Sequence, residues 1–296
     1  MDPETALELV GAGTSVDVYR RVLGPSLDVL GEGLANRSKQ VIDNLSSILE
    51  NAVLKLGDNV PEEGSVPPRV MKSVIEEGAY FESEIAADYF GGILASSKGE
   101  TTRDDRGATY SKLLSRLSTY QITGHYYFYE TLRLLYSGKD VNIGEPSVRN
   151  NLRTAVSGLS FFRALRVSGP DPRGNVVKNH ILTGLSKEDL IEDYVYQSNG
   201  GPMSGEEVFF GTDDYFGNIF EDTHDTLFFS PTVLGANLYL WAHGQGHLSA
   251  SGFLDAATSF PSSFDIPILL PVKSVNFEEV KIELPDIEID SVHIQP

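Results

Sequence analysis

The chain has 296 residues, no cysteine and a formal net charge of −19 at pH 7, and a chain of this length can bury the core of one large domain or two smaller ones. Without cysteine it cannot form disulfides, a thiolate zinc site or a cysteine nucleophile. It has no apolar run of about 18 residues, so we expect no membrane span. The first residues lack the basic and apolar regions of a signal peptide, and we therefore expect a cytoplasmic protein.

The negative charge is concentrated in two segments. Residues 184–226 hold eleven acidic residues against one lysine, and residues 274–296 hold six against one. Direct nucleic-acid binding needs clustered Lys and Arg to neutralise phosphates, so this distribution argues against it. It favours an acidic surface that faces a protein partner or keeps the chain soluble.

Helical periodicity dominates the first part of the chain. Apolar residues recur at three- and four-residue steps from about Val16 to Leu56, with a break or kink expected at Pro25 because proline lacks the backbone N–H. The next segment, residues 58–69, is rich in turn residues. Its last prolines, Pro67 and Pro68, suit the first turn of a further helix that runs to about Gly78.

The stretch ESEIAADYFGGILASSKG predicts a helix with two adjacent glycines in its middle. Ser83 suits the N-cap, and Lys98-Gly99 suits the C-terminal stop. Gly91 and Gly92 each cost about 1 kcal/mol relative to alanine inside a helix, so another interaction must offset this cost. We predict that the pair lies at a helix crossing, where a missing side chain permits close approach or a kink. A passage for a ligand is the alternative.

Three more helices are predicted before residue 166. Asp104 or Asp105 can cap the first, and Ser118 or Thr119 can begin the second. The second helix carries four consecutive aromatic residues at positions 126–129, which could stack on nucleic-acid bases. They lack basic neighbours, so a buried aromatic helix is favoured. The third helix is predicted over residues 145–165.

The pattern changes after residue 166. Residues 176–182 are typical of a strand, and residues 186–193 are typical of a short helix capped by Ser186. Residues 198–225 are rich in glycine and acid, which indicates an irregular surface insertion. Then follow a short strand around residues 227–229, Ser230 and Pro231 as cap and first helical turn, and an apolar helix.

Together these elements predict a mainly α fold. We expect a helical bundle over residues 1–165 and a small mixed α/β part, with the acidic insertion, over residues 166–260. An acidic tail of short β-strands is expected over residues 261–296, where apolar and polar residues alternate with the strand period.

The apolar positions of the tail are candidates for partner binding. They are Val280, Ile282, Leu284, Ile287 and Ile289. An isolated pair of strands is at best marginally stable in water. The tail should therefore dock on the body of its own chain or add to a strand of another subunit or partner. We favour exchange between subunits, which predicts a homo-oligomer.

Several segments resemble the Abi-alpha (abortive infection alpha) family of bacterial proteins. They are residues 19–45, 66–99 and 110–121, together with SPTVLGANLYLWA at residues 230–242. The matching features are Pro25, Leu30-Gly31, Pro67-Pro68, Leu94-Ala95-Ser96 and Leu117-Ser118. The resemblance spans roughly residues 17–250, and the acidic insertion and the tail depart from it. It implies a role in defence against phage, by halting infected cells, and it carries over no catalytic residue.

Two groups of residues could hold a metal ion. His243 and His247 are four apart, which is a metal-ligand spacing in a helix, but two glycines lie between them and favour a helix C-terminus instead. The acidic insertion supplies oxygen ligands that suit a hard cation, although their spacing is not that of an EF-hand. These candidates are Asp213, Asp214, Glu221, Asp222, His224 and Asp225.

Two functions of different class follow from these features. The favoured one is a non-enzymatic defence protein without a cofactor, which binds an unidentified phage or host protein. The alternative is a metal-dependent hydrolase or nuclease that uses the acidic insertion and the two histidines. A regulator with a winged-helix-like core is a third interpretation, and the charge argues against it.

Overall fold

The computed structural model describes residues 16–34, 39–57, 64–99, 104–150, 152–166, 172–197, 225–262 and 272–276. Within these ranges the chain is mainly helical and carries one four-stranded sheet, which confirms the predicted fold class. In the same ranges, no helix combines the length and the apolar character needed to cross a membrane.

The helices of the first half form one packed body. They are α1 (Val16–Leu23), α2 (Leu27–Leu34), α3 (Lys39–Leu56), α4 (Pro68–Glu77), α5 (Glu84–Ser97), α6 (Arg106–Ser115) and α7 (Thr119–Tyr136). The predicted break at Pro25 lies in a short 3-10 turn, Gly24–Ser26, between α1 and α2. Helix α5 is buried along almost its whole length and packs on α3, α4, α6 and α7. It is therefore the central helix of this body.

In the described part of the second half, the chain adds four α-helices and the sheet. The helices are α8 (Pro146–Arg149), α9 (Gly158–Ala164), α10 (Pro172–Lys187) and α11 (Val233–Ala242). The strands are β1 (Leu152–Ser157), β2 (Ile191–Gln197), β3 (Thr226–Pro231) and β4 (Val272–Asn276). All pairs are antiparallel in the order β2-β3-β1-β4. Helix α11 packs on α5 and α7, which joins the two halves.

Three sequence predictions in this half are wrong. The helix predicted over residues 145–165 is interrupted by β1, residues 176–182 lie in α10 rather than in a strand, and residues 186–193 are not a short helix. Ser186, the predicted cap, lies inside α10, and β2 begins at Ile191. Short apolar runs fit a strand or a helix equally well, so the distant pairing partners of β1 and the packing of α10 on α7 decide these elements.

The cap of α11 also differs from the prediction. Ser230 and Pro231 belong to β3, and Thr232 is the N-cap, its hydroxyl accepting a hydrogen bond from the Gly235 amide at 2.9 Å. Ser230 remains in the strand because it pairs with Glu192 of β2. The strand therefore runs two residues further than expected, up to the cap itself.

Residues 272–276 of the predicted tail pair within the chain itself. Strand β4 lies antiparallel to β1, with Ser274 opposite Thr154. This corresponds to docking on the chain's own body and not to the favoured exchange between subunits for these residues. The five apolar tail positions from Val280 to Ile289 lie outside the described residues, and their role in partner binding stays a prediction.

The Tyr129 hydroxyl ties the turn between α10 and β2 to the N-cap of α11. It donates a hydrogen bond to the Leu190 carbonyl at 2.7 Å and accepts one from the Thr232 amide at 3.1 Å. The side chain is fully buried. If the hydroxyl is removed, the Leu190 carbonyl and the Thr232 amide therefore cannot form a hydrogen bond to water in its place. The hydroxyl therefore supports the connection between β2, β3 and the helical body.

We expect Tyr129→Phe to lower the free energy of unfolding by about 1–3 kcal/mol, because it leaves a buried amide and a buried carbonyl without this partner. Urea unfolding followed by circular dichroism measures the change. Tyr120→Phe is the matched control, since Tyr120 is 43% exposed, and it should change stability by less than about 0.5 kcal/mol. Equal stabilities of the two variants would contradict the role of the Tyr129 hydroxyl.

Candidate functional site: a buried polar cluster

Helix α5 approaches two other helices at Gly91 and Gly92. A Cβ atom on Gly91 would lie 2.5 Å from the Cβ of Asn51 and 2.7 Å from the Ile48 carbonyl oxygen, both on α3. A Cβ atom on Gly92 would overlap the carbonyl of Ala242 at the end of α11. The missing side chains therefore allow backbone contact on two sides of α5.

Between these closely packed helices lies a set of buried polar side chains, which we name the core polar cluster. Its members are Lys55 on α3, Asp88 and Tyr89 on α5, His125 on α7, and Tyr239 and His243 at the end of α11. All are nearly or fully inaccessible to solvent. Buried polar groups need internal partners, and four helices supply them here.

The cluster contains one ion pair. The Lys55 ammonium donates to the Asp88 carboxylate at 2.5 Å, and both side chains have zero exposure. Burial lowers the pKa of Lys55 from its ordinary value, and the attraction of Asp88 opposes this shift. The attraction within a buried ion pair offsets the free-energy cost of removing both charges from water only when the geometry is good. This contact therefore ties α3 to α5 at a defined position.

His125 links α5 to α11 through both ring nitrogens. Nε2 lies 3.1 Å from the Gly235 carbonyl oxygen, which can only accept, so Nε2 carries the proton and donates. Nδ1 lies 2.9 Å from the Tyr89 hydroxyl and accepts its proton. This arrangement requires a neutral imidazole, and burial lowers the pKa of His125 to about 3.

His243 occupies the C-cap of α11. Its Nδ1 lies 2.8 Å from the Tyr239 carbonyl oxygen and donates to it, which leaves Nε2 as a buried acceptor with no hydrogen-bond partner among the described residues. The ring stacks on Tyr239 with centroids 4.0 Å apart. Burial lowers the pKa of His243 well below its ordinary value, and the positive charge of Lys55 lowers it further.

The outer edge of the cluster is formed by Glu130 and Arg133 of α7. The Tyr239 hydroxyl donates to the Glu130 carboxylate, and the Arg133 guanidinium pairs with the same carboxylate at 3.2 Å. Arg133 also lies over the ring of Phe260 at 3.7 Å. Burial raises the pKa of Tyr239 well above its ordinary value, with Glu130 adding to the shift. Tyr239 therefore remains a hydrogen-bond donor.

The cluster combines one ion pair, two neutral imidazoles and two protonated phenols. Each of these groups bonds to another part of the chain rather than projecting into a cleft. Burial raises the pKa of Tyr89 well above its ordinary value, so its proton stays in the bond to His125. In this geometry the cluster holds α3, α5, α7 and α11 together.

No protein-family model, curated protein or solved structure matches this chain. The resemblance to the Abi-alpha family therefore rests on the motifs quoted above. Two of those motifs meet beside the cluster. The Ser96 hydroxyl, in the last turn of helix α5, donates to the Trp241 carbonyl at 2.9 Å and accepts from the Gly246 amide at 3.0 Å.

The predicted metal candidates are not brought together within the described residues. His243 is buried with Nδ1 bonded to a carbonyl, whereas His247 is exposed. Asp225 accepts a hydrogen bond from the Tyr196 hydroxyl at 2.5 Å. Asp213, Asp214, Glu221, Asp222 and His224 lie outside the described residues. Among the residues that the structure describes, no group of three or more His, Asp and Glu could hold a metal ion.

The sequence did not predict that Lys55, Asp88 and His125 form a group. A signal for the first two was present, because each charged residue occupies an apolar stripe position: Lys55 follows Ile48 by seven residues, and Asp88 follows Ile85 by three. A charge on the apolar face of a predicted helix indicates a buried partner. The identity of that partner, 33 residues away in the chain, could not be read from either pattern.

Proposed function

We propose that this chain is a cytoplasmic phage-defence protein of the abortive-infection type, which acts by binding a phage or host protein. The observation that carries the proposal is the contact between two segments that resemble the Abi-alpha family. Ser96 and Trp241 are 145 residues apart in the chain and share a hydrogen bond. Motifs that belong to one family are expected to pack on one another in the folded chain. The hydrogen bond between Ser96 and Trp241 agrees with this expectation.

The acidic segment supports a binding role. Gln197, the last residue of β2, pairs with Thr226, the first residue of β3. The chain therefore leaves the sheet and returns to it at adjacent positions, with acidic residues concentrated between them. Such a concentration of negative charge favours encounter with a basic protein surface and suppresses binding to nucleic acid.

The test is a phage challenge of bacteria that express the chain. We expect plaque numbers to fall for at least one phage of a broad panel, with death of the infected cells. A variant that neutralises Asp213, Asp214, Glu221 and Asp222 (to Asn, Asn, Gln and Asn) should lose this protection. Exposed ion pairs contribute about 0.2–1 kcal/mol each, so losing four should weaken partner binding on the order of tenfold or more.

The control variant neutralises four exposed carboxylates elsewhere, by Glu→Gln at Glu32, Glu50, Glu76 and Glu82. It removes the same number of charges and should protect as the original chain does. Affinity purification from infected cells should recover a basic protein with the original chain and the control, and not with the acidic-segment variant. Lack of protection against every phage would contradict the defence role, whereas full protection by the acidic-segment variant would contradict the role of that segment.

A further inference from the structure

Helix α11 is held at both of its ends by buried histidines. His125 donates to the Gly235 carbonyl in the first turn of α11, and His243 closes its last turn. The bond between His125 and Tyr89 needs an unprotonated Nδ1, because that atom accepts the Tyr89 proton. The Nε2–H that donates to Gly235 is present whether or not Nδ1 is protonated. Both side chains are buried, so water cannot solvate a proton that either ring would gain.

The charges around His243 leave a protonated ring without a counter-ion in the cluster. Asp88 already binds the Lys55 ammonium, and Glu130 already binds Arg133 and the Tyr239 hydroxyl. A proton on His243 would therefore add a positive charge beside two cations whose carboxylates are engaged. In a closed, weakly polar site such like-charge contacts are costly.

Other titratable groups face α11 from the elements that pack on it, and those around His243 carry no further negative charge. From α5 and α7 these are the phenols of Tyr89, Tyr126 and Tyr129. From α6 they are Arg106 and Tyr110, which lie against Trp241. The turns that follow α11 contribute the apolar rings of Phe253 and Phe260. These groups are cations or phenols. The carboxylates of Asp189 and Glu192 act on Tyr129 at the N-cap end of α11, where the Asp189 carbonyl accepts from the Thr232 hydroxyl, and not at the His243 end.

We propose that α11 is an acid-releasable helix, which separates from α5 and α7 when His125 and His243 gain protons. The rest of the helical body stays folded, because α3, α4, α5 and α6 contain no histidine and pack on one another through apolar side chains. Release exposes the apolar residues of α11 and the cluster beneath them. This inference does not depend on the proposed function.

The direction of the pH dependence follows from proton binding. The pKa of His125 is lowered to about 3, and that of His243 is also well below 6.5, while a released histidine returns to its ordinary value. The released state therefore binds more protons than the closed state as the pH falls below about 6.5. Above this pH the closed state, in which α11 packs on α5 and α7, is favoured. As the pH falls, this state loses stability progressively until the pH reaches the lowered pKa values of the two histidines.

The chain has a single tryptophan, Trp241, which lies on α11 itself. It is buried and stacks on Tyr110 with centroids 4.8 Å apart. Its fluorescence therefore reports the position of α11, while far-UV circular dichroism reports the whole helical body. We expect the fluorescence transition, measured from about pH 8 to pH 4, to precede the loss of helix by roughly one pH unit.

Two variants assign the transition to the histidines. In His125→Gln the amide can donate to Gly235 and accept from Tyr89 as the neutral ring does, and His243→Gln likewise removes the proton-binding site. The double variant should lose the early fluorescence transition, whereas His247→Gln, at an exposed histidine, should keep it. Coincident fluorescence and dichroism transitions in the original chain would overturn the proposal, as would an early transition that persists in the double variant.

Hydrogen exchange of the original chain provides a measurement that does not depend on the folding of any variant. At pH 5, after correction for intrinsic rates, amides of α11 should exchange on the order of tenfold faster than at neutral pH. Amides of α3 and α5 should keep their protection. A uniform loss of protection in all helices, or unchanged protection of α11, would refute the release.

Discussion

Asp88→Ala is expected to lower the free energy of unfolding by about 3–5 kcal/mol, because it leaves the Lys55 ammonium buried without its carboxylate. Lys55 and Asp88 both have zero side-chain exposure, so water cannot take the place of the lost partner unless the helices separate. Urea unfolding at neutral pH, with linear extrapolation to water, measures this change.

Two comparisons separate this effect from the loss of side-chain contacts. In Lys55→Met/Asp88→Leu both charges are replaced by apolar groups, and the stability should be close to that of the original chain or above it. Asp104→Ala breaks the exposed ion pair with Arg106 and should cost less than about 1 kcal/mol. A double variant as unstable as Asp88→Ala would show that packing, rather than the unpaired charge, causes the loss.

Gly92→Ala is expected to lower the free energy of unfolding by about 3 kcal/mol, at the upper end of the range for overpacked cores. Alanine is a better helix former than glycine by about 1 kcal/mol, so the substitution would be stabilising if the site were open. Instead the added Cβ would overlap the Ala242 carbonyl, which is backbone and cannot rotate away as a side chain could. Thermal unfolding followed by circular dichroism measures the change.

The control is Gly252→Ala, at a glycine whose added Cβ would have its nearest neighbour 3.8 Å away. It should alter the stability by less than about 0.5 kcal/mol. Gly91→Leu should also be destabilising, by about 1–3 kcal/mol, because the side chain would enter the contact with α3. An unchanged melting temperature in Gly92→Ala would mean that α11 does not contact α5 at this position.

These two results would also separate what the cluster contributes from what the glycines contribute. The glycines set how closely α5 approaches α3 and α11, and the polar groups select one arrangement of the helices at that distance. Destabilisation by Gly92→Ala without a change in the pH dependence of Trp241 fluorescence would show that packing and protonation act independently. A shift of that pH dependence would show that the approach of α11 controls the proton affinity of the histidines.

The sequence by itself determined the elements whose signals are local. The helical character of residues 39–56, 84–97 and 119–136 follows from apolar residues at helical spacing. The third begins after Ser118, one of the two predicted starts, and the structure forms a capping box there with Gln121. The break at Pro25 follows from the missing N–H of proline. Each of these signals lies within a few residues of the structure that it specifies, so no knowledge of distant contacts is needed.

Only the tertiary structure decided β1, α10 and the core polar cluster. The strand β1 pairs with residues 226–229 and 272–276, and a short apolar run cannot indicate such distant partners. The members of the cluster are equally far apart: His125 and Gly235 are 110 residues apart in the chain, yet they share a hydrogen bond. Whether a polar side chain is solvated or paired depends on which helices surround it. The free-energy cost of leaving such a group unpaired depends on its burial and not on its residue type alone. The site therefore arises from helix packing, which the local pattern does not encode.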